Sequence, residues 1–284
     1  WQPGVSPPVT NAMPTQIWYG DEAVAHWAAD DRGIAYGDGL FETIRVCAGR
    51  GVLLDEHLQR LQQGCRQLGI PFLPAWSQHI SRFLAAMAED GILRVQVTRG
   101  AGGRGYQSPP SITPGFALSW HALPSYPAQY AQWGIRVADA PFALAAQPML
   151  AGIKHSNRLE QVLLRDALAT QPQCQELVVC NAAGELVEGV FSNLFLVRDG
   201  ILLTPPVTAC GIAGALRAAL LNDAPLPVQI ATLTPDDLLA ADEVFFANSV
   251  MGIWPVAAYR QRAWPVGQYT RQCQAHIAAW FAPA

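Results

Sequence analysis

Short apolar runs bounded by glycine, proline or aspartate recur along the whole chain. Such runs, rich in valine, isoleucine and leucine, are typical of β-strands that are buried on at least one face. The pattern predicts strands at residues 17–19, 40–47, 52–54, 92–98, 115–121, 135–138, 176–180, 194–197, 201–203, 228–231, 243–247 and 252–259. Residues 48–51, which include two glycines, predict a hairpin turn between the second and third of these strands.

Other segments repeat their apolar residues every three or four positions, which is the spacing of one helix face. The clearest of them begins with Asp55 as its expected N-cap and ends at Gly69, with Pro71 just beyond. Further helices are predicted at residues 75–89, 157–169, 211–221, 235–240 and 268–281. Strands interspersed with helices in this way predict a mixed α/β (α+β) fold.

One stretch without periodicity, residues 122–134, contains two prolines, and we interpret it as an interdomain linker. It separates an N-terminal α/β domain at residues 13–121 from a C-terminal domain at residues 135–284, each long enough to bury its own core. Residues 1–12 are proline-rich and lack the charged and apolar regions of a signal peptide. We expect them to be an added tail, with Met13 as the native start.

The composition narrows the function classes. Hydrophobic residues make up 51% of the chain, charged residues 14%, and the net charge is -4, which is typical of a soluble globular protein and lacks the basic excess of a nucleic-acid binder. No apolar run reaches the roughly 18 residues needed to span a bilayer. The six cysteines form no C-x-x-C pair and no cluster with zinc spacing. We therefore expect no metal site, and free thiols in a reducing, cytoplasmic compartment.

Lys154 is the only lysine, since the other 17 of the 18 basic residues are arginines. A composition that favours arginine explains the missing lysines but not the one that is retained. Arginine keeps its proton above about pH 12 and cannot form an imine, whereas lysine can act as a nucleophile and as a base. Amine chemistry at Lys154 is therefore one hypothesis, and a lysine retained by chance is the other.

A glycine-rich segment at residues 100–105 (GAGGRG) fits the G-x-G-x-x-G pattern of dinucleotide-binding proteins. That pattern must open a helix, and here Tyr106 and two prolines follow, so we reject this interpretation. Arg99 and Arg104 lie beside the flexible glycine backbone, an arrangement that can bind a carboxylate through paired hydrogen bonds. A solvated turn with two surface arginines is equally compatible with the sequence.

A second segment with glycines, residues 211–214 (GIAG), follows a strand and a proline-rich turn and begins a predicted helix. Backbone amides at a helix start, next to small residues that allow close approach, form an anion site. An ordinary helix entry is the alternative. Arg60 on the first long helix and Ser249 at a strand end are candidates to add a charge and a hydroxyl for a phosphate.

Glu188 lies in the apolar run at residues 187–195. A buried carboxylate is costly unless it has a cationic or hydrogen-bonding partner, and a protonated pyridine nitrogen would be such a partner. An exposed glutamate at a strand end is the alternative.

These segments occur in the order seen in class IV aminotransferase-like enzymes, the fold-type IV family that depends on pyridoxal 5'-phosphate (PLP), and the chain resembles that family over nearly its whole length. Residues 31–33 and 36–43 are similar to the family's N-terminal signature, and residues 57–61 to its phosphate-binding arginine segment. Residues 188–195 and 211–214 match its cofactor motifs. The resemblance implies a smaller N-terminal α/β domain and a larger C-terminal domain with a pseudo-barrel of strands.

The resemblance also implies a role for each candidate residue. Lys154 is expected to hold PLP as a Schiff base and to act as the proton shuttle, while Glu188 pairs with the pyridine nitrogen. The further cofactor-binding residues that it implies are Arg60, Asn193, Gly211, Ile212, Ala213 and Ser249. The candidates for the substrate carboxylates are Arg104, Arg99 and Tyr106. The family is expected to form a homodimer whose active sites lie near the subunit interface.

Two stretches, residues 98–106 and 150–161, closely resemble the members of this family that are lyases, which cleave a carbon–oxygen bond of a small-molecule substrate. Two positions depart from the family pattern. Val190 replaces a small residue, and Gly214 stands where transaminases commonly have a basic one, which favours the lyases. A transaminase of D-amino acids or branched-chain amino acids, with the same Lys154, is the alternative. We expect neither nucleic acid nor membrane as a partner.

Overall fold

A computed structural model describes residues 14–87 and 89–282. The predicted tail at residues 1–12 lies outside the described residues. Two β-sheets contain the strands, helices pack against both of them, and the mixed α/β fold predicted from the sequence is confirmed.

The first sheet has six antiparallel strands in the order β2-β1-β6-β5-β3-β4. They are β1 (Gln16–Tyr19), β2 (Glu22–Val24), β3 (Gly39–Cys47), β4 (Arg50–Gly51), β5 (Gly91–Thr98) and β6 (Gly115–His121). Three helices belong to this part of the chain, namely α1 (Arg32–Tyr36), α2 (Leu54–Leu68) and α3 (Pro74–Ala85). Apolar residues of the strands and of the two longer helices form one core, which includes Ile44, Leu61, Trp76, Phe83 and Phe116.

The second sheet contains nine strands, and six of them close into a barrel in the order β9-β10-β13-β14-β7-β8. The barrel closes at Glu188, which pairs with Val179 on one side and with Asn193 on the other. The strands are β7 (Ile135–Asp139), β8 (Glu176–Cys180), β9 (Leu186–Glu188), β10 (Asn193–Arg198), β11 (Ile201–Thr204), β12 (Val228–Ile230), β13 (Glu243–Asn248), β14 (Gly252–Tyr259) and β15 (Arg262–Ala263). This barrel is the one that the family resemblance implied.

Five further helices accompany the second sheet. They are α4 (Gln129–Trp133), α5 (Leu159–Ala169), α6 (Ala215–Asn222), α7 (Pro235–Ala240) and α8 (Gln268–Phe281). Leu216 and Leu220 of α6 and Ile277 of α8 share an apolar core with the strands. No helix among the described residues is long and apolar enough to cross a membrane.

Several local predictions were wrong, each for an identifiable reason. Asp55 is not the N-cap of α2, because the helix already begins at Leu54. Its N-cap is Leu53, which has a left-handed backbone (φ 53°) and makes no side-chain cap hydrogen bond. The strand predicted at residues 52–54 is therefore absent. Helix α6 begins at Ala215, four residues later than predicted. Residues 122–134 are not wholly irregular, since α4 lies within them and is too short to show a periodicity.

Candidate functional site

A cavity of about 420 Å³ is bounded by residues from both sheets, and its size is typical of a small-molecule site. The predicted site residues that line it are Arg60, Lys154, Glu188, Asn193, Ile212 and Ser249. They come from α2, from the segment before α5, from β9 and β10, and from the ends of two loops. The fold thus brings together residues that are widely separated in the sequence.

Lys154 is fixed by backbone contacts with β3. Its carbonyl accepts the Phe41 amide at 3.0 Å, and its neighbour His155 forms a bridge with Leu40. The Lys154 amine lies 4.6 Å from the centre of the Phe41 ring. Burial, together with the positive charge of Arg60, lowers the pKa of Lys154 to about 7. Much of the amine is therefore neutral near pH 7, the state that a nucleophile or base requires.

Glu188 faces the same cavity from the position where the barrel closes. One of its carboxylate oxygens accepts the Ile212 amide at 2.8 Å. The residue is 4% exposed, which excludes the alternative of an exposed strand end. Burial raises the pKa of Glu188 to about 7, although the positive charges of Arg158 and Lys154 act in the opposite direction. A carboxylate in this environment is stabilised as an anion by a further cationic partner.

Arg60 is oriented by a buried carboxylate that the sequence analysis did not identify. Its Nε donates to Glu42 Oε1 at 2.8 Å and its Nη2 donates to the other oxygen of Glu42. Its Nη1 donates to the Ala213 carbonyl at 2.9 Å. Burial by itself raises the pKa of Glu42, but Arg60 and His57 outweigh it and bring the pKa to about 2. Glu42 is therefore an anion that holds Arg60 at the cavity wall.

His57 joins Glu42 to Ser249. Its Nδ1 lies 2.6 Å from Glu42 Oε2, and its Nε2 lies 3.0 Å from Ser249 Oγ. Burial is the main cause that lowers the pKa of His57 below its usual value. The hydroxyl predicted for an anion site thus reaches the cavity wall as the last member of a buried polar row.

The turn at residues 211–214 leads from the cavity wall into α6. The Ile212 amide donates to Glu188, and the Ala213 amide donates to the Gly152 carbonyl at 2.9 Å. Both amides were expected to hold an anion, and in this structure they donate to protein acceptors instead. Gly211 has a left-handed backbone (φ 83°), which makes this turn possible.

Asn193 fixes the same turn through its side chain. Its Nδ2 donates to the Ile212 carbonyl at 2.8 Å, and its Oδ1 accepts the Gly214 amide at 3.1 Å. A Cβ at position 214 would lie 2.0 Å from this Oδ1, so the turn as it stands has room only for glycine there. Ala215 begins α6 on the cavity wall, and a helix start carries a partial positive charge. The anion-binding role therefore fits the start of α6 better than the two preceding amides.

The three residues predicted to bind substrate do not line the described cavity of their own chain. The guanidinium of Arg99 pairs with Asp38 at 2.7 Å and donates to the carbonyls of Leu68 and Gly69, so it holds the end of α2. Arg104 and Tyr106 lie on an exposed loop, and Tyr106 is 88% exposed.

Arg158 is a further charged residue on the cavity wall that the sequence analysis missed. Its Nε and Nη2 donate to the carbonyls of His155 and Ile153, at 2.8 and 3.1 Å. Burial lowers the pKa of Arg158 to about 10, so it remains a cation at neutral pH. No pattern in the sequence singled out Arg158. His57 could have been found, because it lies three residues before Arg60 and therefore on the same face of the predicted helix.

Comparison with known proteins places this geometry in context. Residues 39–259 match the family model described as amino-transferase class IV. The chain is 33% identical to the aminodeoxychorismate lyase of Vibrio harveyi, over 92% of this chain and 99% of that one. It is similar to the solved 4-amino-4-deoxychorismate lyase of Pseudomonas aeruginosa, with a TM-score of 0.88 and 44% identity over 93% of this chain and 98% of that one. The D-alanine aminotransferase of Bacillus licheniformis is 28% identical, over 81% of each chain.

Proposed function

Since the chain belongs to the amino-transferase class IV family, we propose that it is a PLP-dependent carbon–oxygen lyase that converts 4-amino-4-deoxychorismate to 4-aminobenzoate and pyruvate, a step of folate synthesis. The observation that carries the proposal is the shared cavity of Lys154, an amine with a pKa of about 7, and the buried carboxylate of Glu188. The higher identity to the two lyases than to the D-alanine aminotransferase supports a lyase rather than a transaminase.

PLP is the cofactor of this family, and the residues of the cavity fit its functional groups. Lys154 lines the cavity, where its amine is available to the aldehyde carbon. Glu188 is a buried carboxylate suited to a protonated ring nitrogen. Arg60 and Ser249, together with the start of α6, offer a charge, a hydroxyl and a helix terminus to the phosphate.

Lys154 and Glu188 have different roles in the proposed reaction. Bound PLP supplies an electron sink for the charge left when a carbon next to its linked nitrogen loses a proton. Glu188 would keep the ring nitrogen protonated by pairing with it. With the substrate bound, the Lys154 amine would be a neutral base that takes the proton from C4. Lys154 would then give this proton to the enolpyruvate that leaves when the C3–O bond breaks, which converts it to pyruvate, and the remaining ring would become aromatic.

We further propose that the protein acts as a homodimer in which Arg104 and Tyr106 contact a substrate carboxylate in the partner's cavity. Arg32 supports this role because its guanidinium donates to the carbonyls of Gly105 and Tyr106, at 3.0 and 3.2 Å, and so gives the exposed loop a fixed shape. The Tyr106 ring lies 5.5 Å from that of Tyr36, which is also exposed. Grouped exposed aromatic residues are typical of a protein–protein contact.

The division into domains at residues 13–121 and 135–284, joined by residues 122–134, belongs to the same proposal. It is supported by an apolar core on the first sheet that is separate from the three apolar clusters of the second part of the chain, and by a cavity with walls from both sheets. We also propose a cytoplasmic location, because all six cysteines are free thiols, as in proteins of reducing compartments.

Pyruvate release from 4-amino-4-deoxychorismate, measured without any 2-oxo acid acceptor, tests the proposed activity. We expect the PLP-loaded protein to form pyruvate and 4-aminobenzoate in equal amounts, and Lys154→Ala to form neither. Amino transfer to 2-oxoglutarate from D-amino or branched-chain amino acids, with no cleavage of 4-amino-4-deoxychorismate, would instead establish the transaminase alternative.

A further inference from the structure

Three buried side chains, those of Glu42, His57 and Ser249, form a continuous row that ends at the cavity wall. His57 lies between the other two, with Nδ1 2.6 Å from Glu42 Oε2 and Nε2 3.0 Å from Ser249 Oγ. The three residues come from β3, from α2 and from the turn after β13, so their alignment is a product of the tertiary fold. The role of this row rests on the proposed function, because it concerns the PLP phosphate beside Ser249.

The protons in this row are placed by the donors and acceptors that each group possesses. Burial raises the pKa of Glu42, but Arg60 and His57 bring it down to about 2, so this carboxylate is ionised and only accepts hydrogen bonds. His57 must therefore carry a hydrogen on Nδ1. A neutral imidazole has a single ring hydrogen, which leaves Nε2 as an acceptor. The Ser249 hydroxyl then donates to His57 and turns only its lone pairs toward the cavity.

That arrangement is unsuited to a phosphate. A phosphate monoester, whose second pKa is about 6, is doubly ionised at neutral pH and only accepts hydrogen bonds. It needs the hydrogen of Ser249, and Ser249 can turn that hydrogen outward only if Nε2 of His57 donates to it. We propose that His57 gains a second proton when the cofactor phosphate binds, so that His57 donates to both Glu42 and Ser249 and Ser249 donates to the phosphate. His57 is thus a positioning residue that acts on the cofactor through Ser249.

The charged groups around His57 determine when it gains this proton. Burial, Arg60 on the same helix and Lys154 across the cavity disfavour the charged imidazole, whereas Glu42 on β3 favours it, and the pKa of His57 is lowered overall. The ring is therefore neutral at neutral pH in the protein without PLP. A doubly ionised phosphate next to Ser249 adds two negative charges close by, which favours the imidazolium. Binding of PLP consequently takes up a proton at His57.

Nitrogen-15 NMR of protein labelled at histidine tests this proposal on the wild-type chain. At about pH 8, well above the ordinary pKa of histidine, we expect His57 to have one protonated ring nitrogen without PLP and two in the PLP-loaded protein. The His57 signals are assigned by their loss in His57→Gln. If that variant does not fold, they are assigned by their shift in Ser249→Ala. His121 is a matched control, because its Nε2 lies 3.0 Å from Ser119 Oγ on the surface, and its signals should not change.

The affinity for PLP provides a second measurement. If PLP binding takes up one proton, the affinity of the wild type for PLP falls by up to about tenfold per pH unit as the pH rises from about 7. This fall adds to any pH dependence that the wild type and the variants share. His57→Gln keeps a donor toward Ser249 that does not titrate, so this component disappears while much of the affinity remains. Pyridoxal, which lacks the phosphate, should bind with the same pH dependence to the wild type and to His57→Gln.

The outcomes separate this inference from the proposed activity. If PLP binds and His57 keeps one unprotonated ring nitrogen, or if the wild type and His57→Gln share one pH dependence of PLP affinity, the inference is wrong and the lyase proposal stands. If the protein does not bind PLP at all, both are wrong. Two protonated nitrogens only in the PLP-loaded protein, with unchanged signals from His121, support the inference.

Discussion

Arg60 and Glu42 form two parallel hydrogen bonds in a region that is almost completely buried, where the side chain of Glu42 is 1% exposed and that of Arg60 is 9% exposed. The pair joins α2 to β3, and Arg60 also donates to the Ala213 carbonyl in the turn before α6. One ion pair therefore links the first sheet to the part of the cavity that we propose binds the phosphate. Glu42 thus determines where the charge of Arg60 lies.

Glu42→Gln should destabilise the protein, because it leaves the buried Arg60 without its counter-charge. We expect a loss of about 3 kcal/mol or more in the free energy of unfolding at pH 7. Since the pKa of Glu42 is lowered from 4.5 to about 2 by folding, the advantage of the wild type is complete above pH 4.5 and disappears as the pH falls through about 2. Denaturant unfolding at several pH values measures this.

The matched control for that measurement is Asp223→Asn, which removes an exposed partner of His276. A contact between exposed polar side chains contributes less than about 1 kcal/mol, so this variant should unfold almost as the wild type does. Equal losses in the two variants would show that the Glu42 pair has no special importance.

Lys154 should react with amine-directed reagents at an unusually low pH. Its pKa is lowered to about 7 by burial and by Arg60, so the reactive neutral form reaches one half at about pH 7 rather than near 10.5. The labelling rate in protein without PLP should rise with a midpoint near that pH, and PLP should protect the site. Because Lys154 is the only lysine, Lys154→Gln gives the background from the chain terminus. A midpoint above pH 9 would be inconsistent with the described environment.

Glu188→Gln should reduce turnover much more than it reduces PLP binding. The amide keeps the shape of the side chain but cannot hold a proton on the ring nitrogen, and loss of such an electrostatic contact costs about 100-fold or more in rate. Arg60 and Lys154 remain to bind the cofactor. Steady-state kinetics and the visible absorbance of bound PLP separate the two effects. Glu185→Gln, which changes a carboxylate outside this cavity, is the control and should leave turnover unchanged.

Gly214→Ala should be destabilising even though its backbone angle (φ -60°) suits alanine. At such a position the change normally stabilises a protein by about 0.4–1 kcal/mol. Here the new Cβ would lie 2.0 Å from Asn193 Oδ1, so we expect a loss of about 1–3 kcal/mol and weaker PLP binding. Adding Asn193→Ala removes the obstruction, and in a double-mutant cycle the second change should recover part of the loss. Strict additivity of the two changes would contradict the steric explanation.

Much of the fold could be predicted because its elements carry local signals. The strands at residues 115–121, 176–180 and 252–259 and the helices at 235–240 and 268–281 were predicted with their observed bounds. Six of the short elements, namely α1, α4, β2, β4, β9 and β15, were not predicted, because segments of two to five residues show little periodicity. Closure of the barrel at Glu188 depends on pairing between distant strands and followed only from the family resemblance.

The site was predictable to the extent that residue type determines chemistry. Lys154 and Glu188 were identified from an amine and a carboxylate in unusual sequence surroundings, and the fold brings both to one cavity. The role of Glu42 was not identified, because a buried polar partner is recognised only once its neighbours in space are known. Arg99 was predicted to bind a substrate carboxylate because of its residue type. In the structure its donors instead bind Asp38 and two backbone carbonyls of this chain.

Reduction of the PLP-loaded protein with borohydride, followed by peptide mapping, tests the central role of Lys154 most directly. Borohydride converts an imine between PLP and an amine into a stable bond, so the label marks the residue that holds the cofactor. We predict one label per chain, on the peptide that contains Lys154, and none in Lys154→Gln. A label confined to the chain terminus, or PLP released without any label from a fully active protein, would contradict the account.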